Sequence, residues 1–428
     1  MASFILKNSM KLGVATAATQ IEGGDTGHNW NDWYKKGKIQ DGSDPARADD
    51  HYNRFQEDTA LLASMGMQIY RFGIEWSRIE PENGVFSADA LDHYRTEILL
   101  LKKYGIEPLL TFHHFNNPMW LENLGGFESP DIETIFLRFV DKVIHVLGDL
   151  VSEYITINEP NVYATNSYFY GSWPPGKQSF SSVIRVYRNC TKCHIGAYEL
   201  IHRLRTEMGY HDTKVGFANH YRIFAPGNRF NPWHLVCTAL LRQFFQTAIT
   251  KEMSIGKPSF PIGKVKGTHP GKYYDFIGIN YYSRSTVYGF RDGVRRHSPV
   301  NDLGWEIYPQ GILDISRTLY EKYKAPIYIT ENGTCDNQDT FRSRYIFEHV
   351  KILSDSDLPV ERFYHWCFLD NFEWLEGESA RFGLVHVNYE TQARTVKRSG
   401  EFYSRIIRER GVSEALYEEY ARQEYTMN

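Results

Sequence analysis

The chain has 428 residues, a formal net charge of −4 and 42% hydrophobic residues, a composition typical of a large folded protein. A nucleic-acid-binding protein would present a clustered basic surface, but the densest basic stretches, 291–296 and 397–410, are short and interrupted by acids. No apolar run is long enough to span a membrane and the first strand pattern begins by about Leu12, so we expect a cytoplasmic protein without a signal peptide or a membrane partner.

Strand-like and helix-like patterns alternate along the chain. Residues 49–66, for example, carry apolar side chains at helical spacing and end at Gly66, which predicts a helix. In chain order we predict a strand at 12–19, a helix at 49–66, a strand at 68–74, a helix at 88–104, a strand at 107–111, a helix at 130–147, a strand at 154–158, a helix at 181–208, and strands at 214–220, 275–281, 327–332 and 362–369. Between 221 and 273 the order of the elements is left open.

Eight predicted strands with helices between them indicate a (β/α)8 barrel. No linker rich in Pro, Ser or Gly and no low-complexity tract divides the chain, so we expect residues 1–428 to form a single domain. A doubly wound open sheet is the alternative fold. It would normally carry a glycine-rich phosphate turn after an early strand, and Gly13-Val14-Ala15-Thr16 is not such a turn.

Aromatic residues make up 15% of the chain, including 9 Trp and 29 Tyr. Amphipathic rings suit ligands such as sugars, although a large core also uses aromatic side chains. The five cysteines are odd in number and scattered, which predicts reduced thiols in the cytosol. Cys190 and Cys193 stand in a helix-like stretch without a second pair of metal ligands, which favours packing over zinc or redox chemistry.

Each of two predicted strands has a glutamate at its carboxyl end or directly after it. Glu331 lies at the end of 327–332, just before Gly333, and Glu159 follows 154–158 and precedes Pro160, which cannot continue a strand. Because the carboxyl ends of barrel strands meet at one mouth, we expect the two acids to lie close together. Breaking a glycosidic bond requires an acid for the leaving oxygen and a second carboxylate at the anomeric carbon, and this pair could provide both.

Other polar and aromatic residues lie at predicted strand ends. They are Gln20, Arg71, His114, Asn158, Asn280, Tyr282, Glu373 and Trp374. A metal site is the rival interpretation, but one histidine among scattered carboxylates lacks a compact ligand spacing, and we expect no metal or other cofactor. A serine hydrolase would need a Gly-x-Ser-x-Gly turn, and the chain contains none.

Seven segments carry a resemblance to a known family. They are 13–23, 70–79, Asn158-Glu159-Pro160, Asn280-Tyr281-Tyr282, 304–309, Ile329-Thr330-Glu331-Asn332-Gly333 and Asp370-Asn371-Phe372-Glu373-Trp374. In this order the chain resembles the family 1 glycoside hydrolases, the β-glucosidase group, nearly end to end. The resemblance implies a retaining exo-β-glycosidase acting on a small β-glycoside, most simply a β-glucosidase that also accepts β-galactosides and β-fucosides.

The resemblance also implies roles for the two acids, with Glu331 as the nucleophile and Glu159 as the acid and then the base. The carboxyl groups of a retaining enzyme lie about 5 to 5.5 Å apart, so the charge on Glu331 keeps Glu159 protonated until Glu331 is esterified by the sugar. Arg71 and Tyr282 match family residues that hold the nucleophile ionised and oriented. Burial of polar side chains with satisfied hydrogen bonds is their alternative explanation.

By the same resemblance, several residues match the sugar site of the family. Gln20 and Glu373 would bind the outer hydroxyls and Asn158 the 2-hydroxyl. The remaining members of this predicted site are His114, Trp374, Trp366 as an apolar floor, and Phe382. The candidates for the aglycone side, each with a packing alternative, are Trp305, Trp173, Trp120 and Asn219.

The chain departs from the family pattern at five positions. Phe115, Asn116 and Asn117 stand where the pattern has Trp, Asp and Leu, Asn161 where an aromatic residue is frequent, and Glu378 where an aromatic residue is usual. We expect the first four changes to alter the sugar site or its entrance. Glu373-Trp374 and the added acid Glu378 disfavour the alternative of a 6-phospho-β-glycosidase, because an acid repels a phosphate dianion.

A non-catalytic sugar-binding protein on the same fold is a further alternative, and the presence of both catalytic acids argues against it. The natural aglycone, the balance between hydrolysis and transglycosylation and the oligomeric state are not predicted.

Overall fold

The computed structural model describes residues 3–428, and eight parallel strands in it form a closed barrel. The barrel strands, labelled in chain order, are β1 Lys11–Ala15, β2 Ile69–Gly73, β3 Glu107–His113, β4 Glu153–Asn158, β5 Lys214–Pro226, β6 Ile277–Tyr288, β7 Ile327–Asn332 and β8 Val360–Trp366. Each strand pairs with the next, and β8 closes the barrel by pairing with β1. The predicted (β/α)8 barrel is therefore confirmed.

Helices follow the barrel strands along the chain, and the longer ones cover the outside of the barrel. The helices are Ala18–Ile21, Asn29–Lys35, His51–Ser64, Trp76–Ile79, Ala88–Lys103, Met119–Asn123, Ile132–Leu147, Pro160–Thr165, Phe180–Glu207, Pro232–Arg242, Ala248–Ile255, Gln310–Tyr323, Arg342–Ser354, Arg398–Glu409 and Glu414–Tyr420. The helix Ile132–Leu147 illustrates why they form. Eight of its apolar residues recur every three or four positions and so lie on one buried face. Each such side chain contributes about 1.5–3 kcal/mol through burial.

The first strand is shorter than predicted. β1 ends at Ala15, and Ala18–Ile21 forms one turn of helix instead of continuing the strand to residue 19. Small side chains fit either structure, so the pattern alone does not separate them. Because all four residues of the turn are buried, the turn carries Gln20 into the interior above the strand end.

Two strands are longer than predicted. β5 and β6 continue past the predicted ends at 220 and 281, and a register shift between Tyr221 and Ile223 marks where their pairing leaves the barrel. Beyond the shift they pair with each other as far as Pro226 and Val287, and the short strand Arg291–Gly293 adds to β6. The result is a ribbon that stands above the barrel mouth.

The region between 221 and 273, whose order the sequence left open, contains a nearly continuous helical segment. Pro232–Arg242 leads through a π-helical turn, Gln243–Thr247, into Ala248–Ile255. The side chain of Asn231 accepts a hydrogen bond from the N–H of Trp233, at 2.9 Å, and so caps the first helix. This segment packs behind the extended part of β5.

The amino-terminal end of the barrel is closed by charged side chains. Glu153 accepts hydrogen bonds from the Arg362 guanidinium, at 2.7 and 2.9 Å, and from the Tyr328 hydroxyl, at 2.9 Å. The accessible end of the barrel is therefore the carboxyl end.

The larger of two clusters of buried apolar side chains extends from Phe4 to Ala421. Within residues 3–428, no helix combines the length and the apolar character needed to cross a bilayer.

Candidate active site

A cavity of about 300 Å³ opens at the carboxyl end of the barrel strands. Nine residues predicted for the site line it, namely His114, Glu159, Tyr282, Trp305, Glu331, Trp366, Glu373, Trp374 and Phe382. The other four, Gln20, Arg71, Asn158 and Asn280, are fully buried and hydrogen-bond to these lining residues or to their neighbours. A larger cleft of about 670 Å³ lies on the outside of the barrel, and it contains only one carboxylate, that of Asp314.

Glu331 is held at both carboxylate oxygens. Arg71 Nη1 donates to Glu331 Oε1 at 2.5 Å, and the Tyr282 hydroxyl donates to Oε2 at 2.5 Å. Arg71 is itself fixed by hydrogen bonds to the Thr330 carbonyl and to Thr111. Burial raises the pKa of Glu331, which is only 3% exposed; the Arg71 guanidinium opposes this shift and the neighbouring Glu159 adds to it.

Glu159 leaves the end of β4 in a left-handed conformation, with φ 41° and ψ 59°. Pro160 then starts the helix Pro160–Thr165, so the chain turns sharply and the carboxylate projects over the barrel mouth. Glu159 Oε1 accepts a hydrogen bond from Asn280 Nδ2 at 2.8 Å and lies 3.2 Å from His220 Nδ1. Its other oxygen, Oε2, has no hydrogen-bond partner among residues 3–428 and remains available to a ligand.

A short network of amides connects the two glutamates. Asn158 Oδ1 accepts hydrogen bonds from Arg71 Nη2 at 2.7 Å and from Asn280 Nδ2 at 3.0 Å. Since Arg71 also contacts Glu331 and Asn280 also contacts Glu159, both carboxylates belong to one hydrogen-bonded unit. The unit draws on strands β2, β4, β6 and β7, so closure of the barrel fixes its geometry.

His114 and Gln20 each have a buried polar atom beside the cavity without a hydrogen-bond partner among residues 3–428. Burial and the charge of Arg71 lower the pKa of His114 well below its usual value, so the ring is neutral. Its Nε2 lies 2.9 Å from the Asn158 amide nitrogen and accepts its hydrogen, which leaves the hydrogen of His114 on Nδ1. In the part of the chain that the structure describes, His114 Nδ1 and Gln20 Oε1 have no hydrogen-bond partner. Sugar hydroxyls could satisfy both.

Acids and aromatic rings form the far wall of the cavity. Gln20 Nε2 donates to Glu373 Oε2 at 3.3 Å. Burial raises the pKa of Glu373 well above its ordinary value, and the neighbouring Glu376, which also lines the cavity, adds to the shift. Trp366 and Trp374 stack on His114, each with a centroid separation of 5.7 Å. The wall therefore combines hydrogen-bonding groups with apolar faces, as sugar rings require.

The four aglycone candidates separate into two pairs. Trp305 is 38% exposed at the rim and packs on Tyr282, and Trp173 also lines the cavity. Trp120 lies elsewhere, because its indole N–H donates to the Glu80 carbonyl at 2.7 Å. Asn219 alternates with His220 along β5, so its side chain points away from the barrel interior and contacts Thr250 at 3.1 Å.

Of the departures expected to touch the sugar site, Phe115 lines the cavity and the three asparagines do not. Asn116 donates to Glu75, and Asn117 donates to Glu122 at 2.6 Å, so both bind acids that do not line the cavity. Asn161 holds the backbone of a neighbouring strand. Glu378 also lies outside the cavity, whereas Glu376, two residues earlier, lines it.

Among the lining residues that were assigned no role from the sequence are His220 and Arg222. His220 was predicted only as a strand end, and Arg222 lay beyond it. Their spacing of two residues was the available signal, since such residues share one face of a strand. Together with Trp305 they also line an adjoining cavity of about 170 Å³, which continues the site towards the ribbon.

Comparisons with known proteins agree with this geometry. The sequence profile of glycosyl hydrolase family 1 matches residues 5–412. β-Glucosidase A of Thermotoga maritima is 31% identical, over 94% of this chain and 97% of that protein. A β-glycosidase from Pyrococcus horikoshii superposes with a TM-score of 0.88 at 30% identity, covering 98% of this chain and 99% of that chain. The T. maritima β-glucosidase in complex with glucoimidazole gives a TM-score of 0.87 at 30% identity, covering 95% and 100%.

Proposed function

Because the chain belongs to glycosyl hydrolase family 1, we propose that it is a retaining exo-β-glycosidase, a β-glucosidase that removes terminal non-reducing β-D-glucosyl residues. One observation carries the proposal. Glu331, held by Arg71 and Tyr282, lines the same cavity as Glu159, whose Oε2 is free to meet a ligand. Two carboxyl groups in one sugar-sized cavity are what double displacement requires.

In the first step, Glu331 attacks the anomeric carbon while Glu159 gives its proton to the glycosidic oxygen, so the aglycone leaves as an alcohol. The hydrogen bonds from Arg71 and Tyr282 favour the ionised form of Glu331 and aim it at the sugar. The partners of Glu159 are an amide and an imidazole that burial keeps neutral, which suits a group that must carry a proton.

In the second step, water replaces the aglycone. The charge of Glu331 is lost in the ester, so Glu159 can take a proton from water as the oxygen attacks the anomeric carbon. The carbon–oxygen bond to Glu331 then breaks, and glucose leaves with its β configuration. A sugar hydroxyl in place of water would give transglycosylation through the same intermediate.

We assign the contacts with the glycone to Gln20, His114, Asn158 and Glu373. The unpartnered Gln20 Oε1 and His114 Nδ1 support this assignment, as does the position of Glu373 at the cavity wall. Glu373 and Glu376 both line the cavity, and two acids there favour unphosphorylated glycosides. We also propose that the chain works as one catalytic domain in the cytoplasm, and its five free, buried cysteines support the location.

Replacing Glu373 with Ala should lower kcat/KM for a β-glucoside by about a hundredfold, since two hydrogen bonds to outer hydroxyls are lost. Steady-state kinetics on p-nitrophenyl β-glucoside measures the effect. Glu378→Ala is the matched control, because it removes a nearby acid that lies outside the cavity, and it should change kcat/KM by less than about twofold. Equal losses in the two variants would contradict the assigned role of Glu373.

A panel of p-nitrophenyl glycosides tests the proposed function. We expect nitrophenol release from the β-glucoside, with the β-galactoside and β-fucoside as further substrates. The α-glucoside and the β-glucoside 6-phosphate should be inert. Activity confined to the 6-phosphate would favour the phosphoglycosidase alternative, and binding of glucosides without turnover would favour a sugar-binding protein.

A further inference from the structure

His220 contacts the acid/base glutamate directly. It lies on β5, is 6% exposed, and places Nδ1 3.2 Å from Glu159 Oε1. The same oxygen accepts the amide of Asn280. The imidazole stacks on the Tyr282 ring at 5.7 Å and 21°, which fixes the plane of the imidazole against the residue that binds Glu331. His220 therefore contacts both Glu159 and Tyr282, the hydrogen-bond partner of Glu331.

Asn161, in the turn that carries Glu159, hydrogen-bonds to the backbone of His220. Asn161 Nδ2 donates to the His220 carbonyl at 2.8 Å, and the His220 N–H donates to Asn161 Oδ1 at 3.3 Å. Asn161 follows Glu159 by two residues and is fully buried. Because one side chain pairs with both backbone groups, His220 and Glu159 cannot shift independently of each other.

The ring of His220 is neutral and supplies one hydrogen. Burial lowers the pKa of His220, Arg222 two residues further along β5 adds to this, and Glu159 opposes it. The remaining titratable group against the ring is Tyr282. Within the described residues Nε2 has no partner, so a hydrogen placed there would be a buried, unsatisfied donor. A hydrogen on Nδ1 instead donates to Glu159.

We propose that His220 is a positioning residue for Glu159. Together with Asn280 it donates to Glu159 Oε1 and so confines the transferable proton to Oε2, the oxygen that faces the glycosidic bond. This inference rests on the proposed function. Oε1 has two lone pairs in the carboxyl plane, and two donors occupy them. When Glu159 acts as the base, the same Nδ1–H stabilises its negative charge.

The test compares His220→Phe with His220→Gln on substrates that differ in their need for an acid. His220→Phe keeps a ring but has no donor, and it should lower kcat/KM for cellobiose about ten- to a hundredfold. Glycosylation by 2,4-dinitrophenyl β-glucoside, whose leaving group needs no proton, should change by less than about threefold. His220→Gln, which can donate, should recover most of the loss.

The pH profile separates this role from packing. Without the donor the carboxylate of Glu159 is less stable, so the acid form persists to higher pH and the basic limb of the cellobiose kcat/KM profile should move upward in His220→Phe. Phe245→Leu is the control, since Phe245 packs on the His220 ring at 5.8 Å without contacting Glu159. It should leave the basic limb in place.

A second measurement does not depend on turnover. Nitrogen-15 NMR of the wild-type protein, with the His220 signals identified by their absence in His220→Gln, should show the ring hydrogen on Nδ1. A hydrogen on Nε2, or equal losses on both substrates with an unmoved basic limb, would overturn the inference. A wild-type protein that hydrolyses none of the glycosides would instead refute the proposed function, and the NMR result would still stand.

Discussion

Replacing Glu331 with Gln is expected to lower kcat on β-glucosides by about 10⁴-fold or more, whatever the leaving group. The amide keeps the shape of the side chain but cannot form the glycosyl ester. Because Arg71 and Tyr282 hold this one side chain at both oxygens, no other carboxylate can take its position. Steady-state kinetics on p-nitrophenyl and 2,4-dinitrophenyl β-glucosides measures the loss.

Stereochemistry provides the control for this variant. In Glu331→Ala, azide can occupy the space of the missing carboxylate and attack from its face, so the product should be the α-glucosyl azide. A 2-deoxy-2-fluoro-glucoside should label Glu331 in the wild-type protein, as peptide mapping by mass spectrometry can establish. Near-normal turnover by Glu331→Gln, or a label on another residue, would remove Glu331 from the nucleophile role.

The substitution Glu159→Gln should have an effect that depends on the leaving group. Turnover of cellobiose should fall by about 10³-fold, because the glycosidic oxygen no longer receives a proton. The first step with a 2,4-dinitrophenyl glucoside should be nearly unaffected, so that the glycosyl enzyme accumulates and a burst precedes slow turnover. Pre-steady-state absorbance and intact-protein mass spectrometry measure the burst and the adduct.

Azide distinguishes the two acids. In Glu159→Ala it should accelerate release of the accumulated intermediate, because an anion needs no base, and the product should be the β-glucosyl azide. The opposite configuration in the two alanine variants would assign each glutamate to its own face of the sugar. A uniform loss on all leaving groups without azide rescue would contradict an acid/base role for Glu159.

The catalytic strands were predictable because their sequence signals are local. Residues 327–332 were predicted as a strand and form β7 with the same bounds, since β-branched residues lead directly to a glycine-containing turn. Glu159 was equally visible, because Pro160 ends the strand behind it. In both cases the chemistry of a few adjacent residues decides where the strand stops and where the carboxylate lies.

Features that depend on distant partners were not predictable. The extension of β5 past His220 depends on pairing with β6, about 60 positions away along the chain. No local sequence pattern indicates the register of that pairing. His220 and Arg222 were therefore missed. Asn161 appeared in the sequence as a departure at the sugar site, and only the structure reveals that its partner is the backbone of His220.

The ribbon formed by the ends of β5 and β6 makes the catalytic end of this protein modular. The register shift between Tyr221 and Ile223 separates the barrel part of β5 and β6 from the segment that pairs with Arg291–Gly293. An insertion or deletion beyond the shift changes the height of one wall while the barrel register stays the same. Divergence in substrate range can thus accumulate in the ribbon without disturbing the chemistry, and a mutant library aimed at new aglycones belongs there.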